Sequence, residues 1–266
     1  MKKYTLFFIL LFFSSTLNAT LVAYYDFENN IDDSVNSYDL DVSGGGSEAY
    51  SSTAIRGSSS YSFNGNDNYL ELANQGSFTN SDSGTISFWI KTSSNSDTSF
   101  FRMDNTENIE LLSESDSLTA FYDSGTFLGS TKDEKDNPNI YDNNWHMVTE
   151  TFNATDGSEK MYIDGLLVSL DTDESNKFGL GSELYIGGES GSSGYYGYGG
   201  SSGTQYDGVM DDLRIYNNEL NATEVYELFN PPTTTPTPTI SVPISQKAYI
   251  FLILLLLVIG IKQTKA

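Results

Sequence analysis

The sequence lacks cysteine entirely, and it contains a single histidine, His146. The absence of cysteine excludes disulfides, catalytic thiolates and cysteine-ligated metals, although export would permit disulfides. A lone histidine excludes a zinc site with two histidine ligands and leaves one candidate histidine base. Stability must therefore come from a large core, for which the 14% aromatic residues are suited.

Basic residues are also scarce, with 13 lysines and arginines against 36 aspartates and glutamates, for a formal net charge of −23. All the acidic residues lie between Thr20 and Asn230. A domain with this much negative charge repels nucleic acid and anionic lipid. We therefore expect no nucleic-acid partner. The charge suits divalent cations and neutral sugars, and it also keeps an exported protein soluble.

The first 19 residues are typical of a secretory signal peptide. Lys2 and Lys3 form a basic start, an apolar run follows from Tyr4 to Phe13, and Ala19 provides a small residue for cleavage. An uncleaved anchor is the alternative, but the apolar run is too short for a span of about 20 residues. We therefore predict export, with residues 20–230 as the folded domain.

Proline is nearly absent from that domain, but five of the six prolines lie between Pro231 and Pro243. We predict an extended, semi-rigid linker over residues 231–244. The apolar run Ala248–Ile261 is short for a spanning helix of roughly 17–25 residues, although flanking lysines can extend its reach. Residues 245–266 are therefore predicted to form a C-terminal apolar helix that anchors the domain, facing outward, to a membrane.

This C-terminal segment resembles the sorting tails of Gram-negative bacteria of the IPTL and PEP types. The resemblance lies in Val242-Pro243-Ile244-Ser245-Gln246, the apolar run and the lysines after it. It implies a sorting protease that cuts near the motif, and a location at the cell surface or a membrane of a Gram-negative bacterium. The tryptophan that usually follows Ser-Gln is missing, and a plain membrane anchor is the alternative.

Short alternating segments, separated by glycine, asparagine, aspartate and serine, run through residues 20–230. About a dozen strands at this spacing predict an all-β sandwich of two sheets, with tight hairpins at Asn64-Gly65, Asp156-Gly157 and Asp164-Gly165. One short C-terminal helix is expected, because Asn221 and Glu224 form a capping-box pattern just before Pro231.

These segments resemble a laminin-G-like domain of the concanavalin A-like lectin/glucanase superfamily. The matching segments, in order, are Leu21–Glu28, Tyr61–Gly65, Tyr69–Glu71, Thr85–Ile90, Trp145–Val148, Met161–Gly165, Leu184–Gly187 and Asp211–Asn217. The resemblance implies a jelly-roll sandwich of two antiparallel sheets. It also implies that His146, within the family's Trp-His motif, is a structural residue.

The superfamily contains glycoside hydrolases, whose activity requires paired carboxylates. Retaining enzymes need two carboxyl groups about 5–5.5 Å apart, which relatives of the β-glucanase type place on one strand. Glu114 and Asp116 begin such a pattern, but neither Leu118 nor Thr119 completes it. The run Glu134-Lys135-Asp136 fails in the same way, so no catalytic residue is predicted, although a pair from different strands stays open.

A structural calcium site is the better expectation, since the resemblance implies one where the first and last strands meet. Asp26 and Glu28 would share one face at the end of the first strand, and Asp211 lies in the last strand. Carboxylates and backbone carbonyls are the oxygen ligands that calcium prefers. The alternative is that these acids are simply solvated.

The glycine-rich segment from Gly187 to Gly208 could present aromatic rings to a sugar. Its candidate ligand-binding residues are Tyr195, Tyr196, Tyr198, Gln205 and Tyr206. A surface loop with tyrosines folded onto the sheet edge is the alternative.

Together these features favour a non-catalytic, surface-displayed binding or adhesion module for a glycan or a surface protein. A glycoside hydrolase or lyase of the same fold, and a purely structural envelope protein, are the alternatives, because a fold does not define a function.

Overall fold

The structure is a computed structural model that describes residues 20–72, 78, 82–104, 108–114, 117–123, 127–130, 139–172, 183–188 and 205–231. The predicted signal peptide, the predicted tail and all but the first residue of the linker lie outside the described residues, as do Tyr195, Tyr196 and Tyr198. The chain divides into two compact units, Met1–Pro231 and Pro232–Ala266. Within the described ranges, no helix is long and apolar enough to cross a membrane.

The described part of the chain forms strands and one short helix. The strands are β1 (Leu21–Tyr25), β2 (Leu40–Ser43), β3 (Tyr50–Ser51), β4 (Ser60–Asn64), β5 (Tyr69–Leu72), β6 (Ser83–Lys91), β7 (Thr98–Asp104), β8 (Asn108–Glu114), β9 (Ser117–Asp123), β10 (Phe127–Ser130), β11 (His146–Asn153), β12 (Ser158–Ile163), β13 (Leu166–Asp171), β14 (Glu183–Ile186) and β15 (Asp207–Tyr216). The helix is α1 (Ala222–Phe229).

The strands form two antiparallel sheets, which confirms the predicted all-β jelly-roll-like sandwich. The eight-stranded sheet has the order β13-β12-β11-β6-β15-β4-β3, and β1 also pairs with β15. The seven-stranded sheet has the order β10-β9-β8-β7-β14-β5-β2. As expected, the first and last strands are neighbours, with Tyr25 opposite Leu213 and Leu21 opposite Tyr216.

The main core lies between the two sheets and is formed by alternate residues of the strands. On β6, Ile86, Phe88 and Ile90 are fully buried and point inward. Large buried aromatic side chains from neighbouring strands, such as Tyr61 and Phe101, complete this core, as the aromatic content indicated. Burial of each such side chain stabilises the fold by roughly 1.5–3 kcal/mol relative to exposure.

A second, smaller core covers the outer face of the eight-stranded sheet. Its buried residues are Trp89, Met147, Tyr162, Tyr216, Leu220 and Val225. The Trp89 ring stacks on Phe229 of α1 with a centroid separation of 5.5 Å. The predicted capping box is present, because the Asn221 side chain accepts the backbone N–H groups of Thr223 and Glu224, and Glu224 accepts the N–H of Asn221. Trp89 therefore anchors the capped helix on this face.

Candidate functional site

The outer face of the seven-stranded sheet carries a line of polar and aromatic side chains that we call the outer row. Alternation turns the apolar residues of each strand toward the core and leaves their neighbours on this face. Leu70 and Leu72 are buried in the core while Glu71 is half-buried, and Leu184 and Ile186 are buried while Tyr185 is half-buried. The outer row consists of Asp41, Glu71, Tyr185, Arg102 and Glu110.

Strand register aligns these five residues directly across five strands. Asp41 is opposite Glu71, Glu71 is opposite Tyr185, and Tyr185 is opposite Arg102. Arg102 is in turn opposite Glu110. Because neighbouring strands lie about 4.8 Å apart, the outer row extends roughly 19 Å. That length suits an extended ligand better than a single small molecule.

Tyr185 is the aromatic centre of the outer row. Its ring centroid lies 6.3 Å from that of the buried Tyr69, and its hydroxyl donates a 3.1 Å hydrogen bond to Glu183 Oε2. The ring is therefore held in one orientation, and the residue stays partly accessible to solvent. The neighbouring Arg102, which lies between Tyr185 and Glu110, is only 6% exposed, so it is largely shielded from solvent.

A surface pocket of about 550 Å³ adjoins the outer row at strand β2. Its lining residues are Ile31, Asp32, Asp39, Leu40, Asp41, Val42 and Glu48. Asp41 belongs to both the pocket and the outer row, so the two form a continuous surface. The alternating segments of the sequence predict strands but not this surface. Alternation marks which residues face outward, but the order of strands in the sheet decides which of them align.

The predicted metal ligands near the first strand do not share a strand face. Strand β1 ends at Tyr25, and Phe27 and Asn29 adopt positive φ values of 50° and 58°. The chain therefore turns at Asp26, whose Oδ1 accepts the backbone N–H of Glu28. The expectation that Asp26 and Glu28 lie on one strand face is wrong for this reason.

Glu28 and Asp211 instead hold one loop, Ile55–Ser59. Glu28 accepts the N–H and the hydroxyl of Ser58 at 2.7 and 2.6 Å, and the N–H of Ser59 at 3.1 Å. The hydrogen bonds from Ser58 lower the pKa of Glu28. Gly57 has φ +59°, and a Cβ there would lie 2.0 Å from Glu28 Oε1, so glycine is required.

Asp211 is completely buried and has one unused carboxylate oxygen. Its Oδ2 accepts the N–H groups of Ile55 and Arg56 at 2.9 and 3.0 Å. Its Oδ1 is buried and has no hydrogen-bond partner among the described residues. Burial raises the pKa of Asp211 to about 6, against the opposing effect of the two N–H donors. A buried carboxylate oxygen without a donor is a position where a cation would be stabilising.

The carboxylate of the neighbouring Asp212 contacts two arginines. Asp212 lies at an irregularity of β15, with φ +56°, and its carboxylate contacts Arg214 at 2.7 Å and Arg56 at 3.6 Å. Burial raises the pKa of Asp212, although Arg214 opposes this shift. In the described ranges, no three side chains of the metal-binding types are grouped so as to hold an ion. Of the three predicted calcium ligands, Asp211 is the one with a buried oxygen that has no hydrogen-bond partner among the described residues.

The predicted sugar-stacking role is wrong for Tyr206, which is a core residue. Its side chain is 1% exposed, and its ring lies 5.3 Å from Phe63 and 5.2 Å from Phe100, measured between centroids. Its hydroxyl donates to the carbonyl of Val209 at 3.0 Å. Gln205 is half-buried beside Gly188, where an added Cβ would lie 1.8 Å from Gln205 Oε1. A ring buried on both faces has no surface for a sugar.

His146 has both ring nitrogens beside carboxylates. Nδ1 lies 2.8 Å from Asp164 Oδ2, and Nε2 lies 3.1 Å from Asp142 Oδ1. Asp164 also accepts the backbone N–H of Met147, which fixes the β12–β13 hairpin to β11. The hydrogen bond to Asp164 raises the pKa of His146, and burial only partly offsets that effect. This arrangement ties two loops to β11 and suits a structural role.

We expect the His146 contacts to stabilise the fold more at pH 6 than at pH 8.5. Because the folded-state pKa is raised, the stabilisation is complete below the unfolded pKa of about 6.5 and is lost as pH rises through the folded pKa. Urea unfolding of the native protein and of His146→Gln at both pH values measures this. The difference between the two proteins should be about 1–3 kcal/mol at pH 6 and smaller at pH 8.5. Equal differences at the two pH values would contradict it.

Comparison with known proteins agrees with this architecture. A family model described as the concanavalin A-like lectin/glucanases superfamily, of the laminin G type, matches residues 64–226, more than half of the chain. A search of curated proteins found no match.

Several solved structures share the fold. Domain 4 of AbnA, a GH43 extracellular arabinanase from Geobacillus stearothermophilus in complex with arabinotriose, has a TM-score of 0.63 at 21% identity. That match covers 79% of this chain and 98% of the domain. The binding domain of Paraclostridial Mosquitocidal Protein 1 has a TM-score of 0.62 at 18% identity, covering 79% of this chain and 52% of that one.

The ligand-binding domain of botulinum neurotoxin serotype D, in complex with N-acetylneuraminic acid, has a TM-score of 0.57 at 17% identity. That match covers 79% of this chain and 50% of the toxin domain. This chain thus spans about half the length of the toxin domains that it matches. At these identities the likeness concerns the fold.

Proposed function

The chain belongs to the laminin G type of the concanavalin A-like lectin/glucanases superfamily, and from this premise we propose that its folded domain is a non-catalytic carbohydrate-binding module. The observation that carries the proposal is the outer row, in which Tyr185 lies between Glu71 and Arg102 in direct register. Structures of the same fold that contain arabinotriose and N-acetylneuraminic acid support a saccharide as the class of ligand.

The chemistry of the outer row suits a neutral, extended glycan. The accessible part of Tyr185 offers an apolar surface for the C–H face of a sugar ring. Glu71 and Glu110, which are half-buried, would accept hydrogen bonds from sugar hydroxyls. The net charge of −23 disfavours polyanionic ligands, so neutral sugars are the preferred class. A surface protein that presents such a glycan is the corresponding macromolecular partner.

A hydrolase of the same fold is the second candidate, and one specific pair of residues favours it. Asp41 and Glu71 are directly opposite on β2 and β5, where Cβ atoms lie about 4.5–5.5 Å apart. A retaining glycosidase needs its carboxyl groups about 5–5.5 Å apart. Asp41, however, is exposed on strand β2 at the rim of the sheet rather than in an enclosed cleft. We therefore prefer binding over hydrolysis.

We further propose that the domain is exported and displayed at the cell surface. Three segments of the sequence support this part of the proposal: the signal-like residues 1–19, the linker 231–244 and the apolar residues 245–266. The resemblance of the tail to substrates of a sorting protease supports it as well. A glycan-binding domain on such a linker would act in adhesion.

Calcium at Asp211 is the cofactor that we propose. A bound ion would supply the missing partner of Asp211 Oδ1, with backbone carbonyls as further ligands. Glu28 is left out of this site because both of its carboxylate oxygens accept hydrogen bonds from Ser58 or Ser59. The ion's role would be structural, since Asp211 holds the loop that carries Arg56.

Replacement of Tyr185 by alanine is expected to weaken glycan binding about tenfold. The reason is the loss of ring stacking, which contributes about 1–1.5 kcal/mol. A glycan array with the full chain identifies the saccharide, and calorimetric titration measures the affinity. Tyr226→Ala is the matched control, because Tyr226 is 46% exposed on α1, on the opposite sheet. Equal affinities of the native protein and Tyr185→Ala would contradict the assignment, as would release of reducing sugar by the native protein.

A further inference from the structure

Three copies of the tripeptide Asn-Ala-Thr occur in the chain, at Asn18–Thr20, Asn153–Thr155 and Asn221–Thr223. Asn18 lies in the predicted signal peptide and outside the described residues, so the comparison concerns the other two copies. Asparagine followed by any residue except proline and then by serine or threonine is the acceptor pattern of N-linked glycosylation. Because the tripeptides are identical, only their surroundings can distinguish them as acceptors.

The backbone turn at the two asparagines is also the same. Asn153 Oδ1 accepts the N–H of Thr155 at 2.9 Å, and Asn221 Oδ1 accepts the N–H of Thr223 at 2.9 Å. In each case the side-chain carbonyl therefore faces the backbone two residues on, and the amide nitrogen Nδ2 points away. The difference between the two sites lies at Nδ2, which is the atom that a glycan would modify.

At Asn153 the amide nitrogen is already engaged. Nδ2 donates a 2.9 Å hydrogen bond to Glu219 Oε2, and Asn153 is half-buried. The other oxygen of Glu219 forms an ion pair with Lys160, so the acceptor is itself held in place. Ala154 is also fixed, because its N–H donates to the carbonyl of Asp82 at 2.7 Å.

At Asn221 the amide nitrogen is available. Asn221, Ala222 and Thr223 are all exposed, and Nδ2 has no hydrogen-bond partner among the described residues. The backbone of Asn221 is extended, with φ −78° and ψ 165°, because the residue precedes the first turn of α1. The amide nitrogen therefore projects into solvent at the junction of β15 and α1.

We propose that Asn221 is an acceptor site for N-linked glycosylation and that Asn153 is not. In the reaction, Nδ2 forms a bond to the anomeric carbon of an oligosaccharide carried on a lipid pyrophosphate. The bond between that carbon and the phosphate oxygen breaks, the lipid pyrophosphate leaves with the bonding electrons, and one amide proton is released. In the cell this modification depends on the proposed export, since lipid-linked oligosaccharides are used outside the cytosol.

The modification is compatible with the fold and with the proposed binding face. Helix capping uses Oδ1 of Asn221, which keeps its two acceptor bonds when Nδ2 carries a sugar. The helix packs on the outer face of the eight-stranded sheet through Phe229 and Trp89. A glycan on Asn221 would therefore lie away from the outer row, which is on the other sheet.

The test is transfer of a lipid-linked oligosaccharide to the purified, folded full chain by an oligosaccharyltransferase in detergent. Because the assay supplies the enzyme and the donor, its outcome does not depend on export. Site occupancy is measured by mass spectrometry of glycopeptides. We expect occupancy of Asn221 to exceed that of Asn153 at least tenfold.

Two matched variants complete the test. Asn221→Asp keeps a capping carboxylate and should abolish the glycopeptide that contains residue 221, whereas Asn153→Asp should leave that glycopeptide unchanged. Cooperative thermal unfolding of both variants verifies that each is folded. Absence of transfer to Asn221, or comparable transfer to both asparagines, would overturn the proposal.

Discussion

Replacement of Tyr206 by alanine is expected to lower the free energy of unfolding by about 3–5 kcal/mol, which is the usual cost of removing a buried aromatic ring. The ring lies between Phe63 and Phe100 in the main core and is 1% exposed. The cavity left by alanine cannot close easily, because both neighbouring rings are fixed in the sandwich. Urea unfolding followed by tyrosine and tryptophan fluorescence measures the change.

Two further variants separate packing from hydrogen bonding at this position. Tyr206→Phe keeps the ring and loses the donor to the carbonyl of Val209, so a loss of about 1 kcal/mol is expected. Tyr226→Ala removes an exposed ring and should change stability by less than about 0.5 kcal/mol. If the Tyr206→Ala protein were as stable as the native one, Tyr206 would not be a core residue. Its predicted role in ligand binding would then have to be considered again.

Removal of calcium is expected to lower the melting temperature by roughly 5–10 °C. A ligand that binds only the folded state at a hundredfold excess over its Kd adds about 2.7 kcal/mol of stability. In a domain of this size, 1 kcal/mol corresponds to about 2–4 °C. Differential scanning calorimetry of metal-stripped protein, with and without added calcium, measures the effect.

Asp211→Asn should abolish the response to calcium, because it removes the charge of the buried carboxylate whose Oδ1 would bind the ion. Glu28→Gln is the matched control: it should weaken the loop Ile55–Ser59 and lower the melting temperature, but keep the shift with calcium. A melting temperature that does not respond to calcium in metal-stripped native protein would exclude the site. If Glu28→Gln lost the increase in melting temperature with calcium, Glu28 would have to be a calcium ligand.

Much of the fold could be predicted from local patterns, because each pattern reports one local physical constraint. Alternation predicted strands with one buried face, and in β6 that face consists of Ile86, Phe88 and Ile90. The Asp164-Gly165 pair predicted a tight turn, and both residues adopt positive φ, at 52° and 77°. Asn221 and Glu224 predicted the capped start of α1. None of these inferences requires knowledge of distant contacts.

The candidate sites could be predicted less well, because they depend on contacts between distant segments. The partners of Glu28 are 30 and 31 residues away along the chain, and those of Asp211 are 155 and 156 residues away. A positive φ at Phe27 also changes the direction of the chain where alternation predicted a continued strand. The outer row needs the strand order of the whole seven-stranded sheet, which no local pattern contains.

The central claim is that the outer row binds a carbohydrate, and chemical-shift mapping of the full chain tests it most directly. Backbone amide spectra are recorded during titration with the saccharide selected on the glycan array. The account predicts that the largest shift changes occur at Glu71, Tyr185 and Arg102, on three adjacent strands of the seven-stranded sheet. Shift changes confined to α1 or to the loop Ile55–Ser59, with these three strands unaffected, would contradict it.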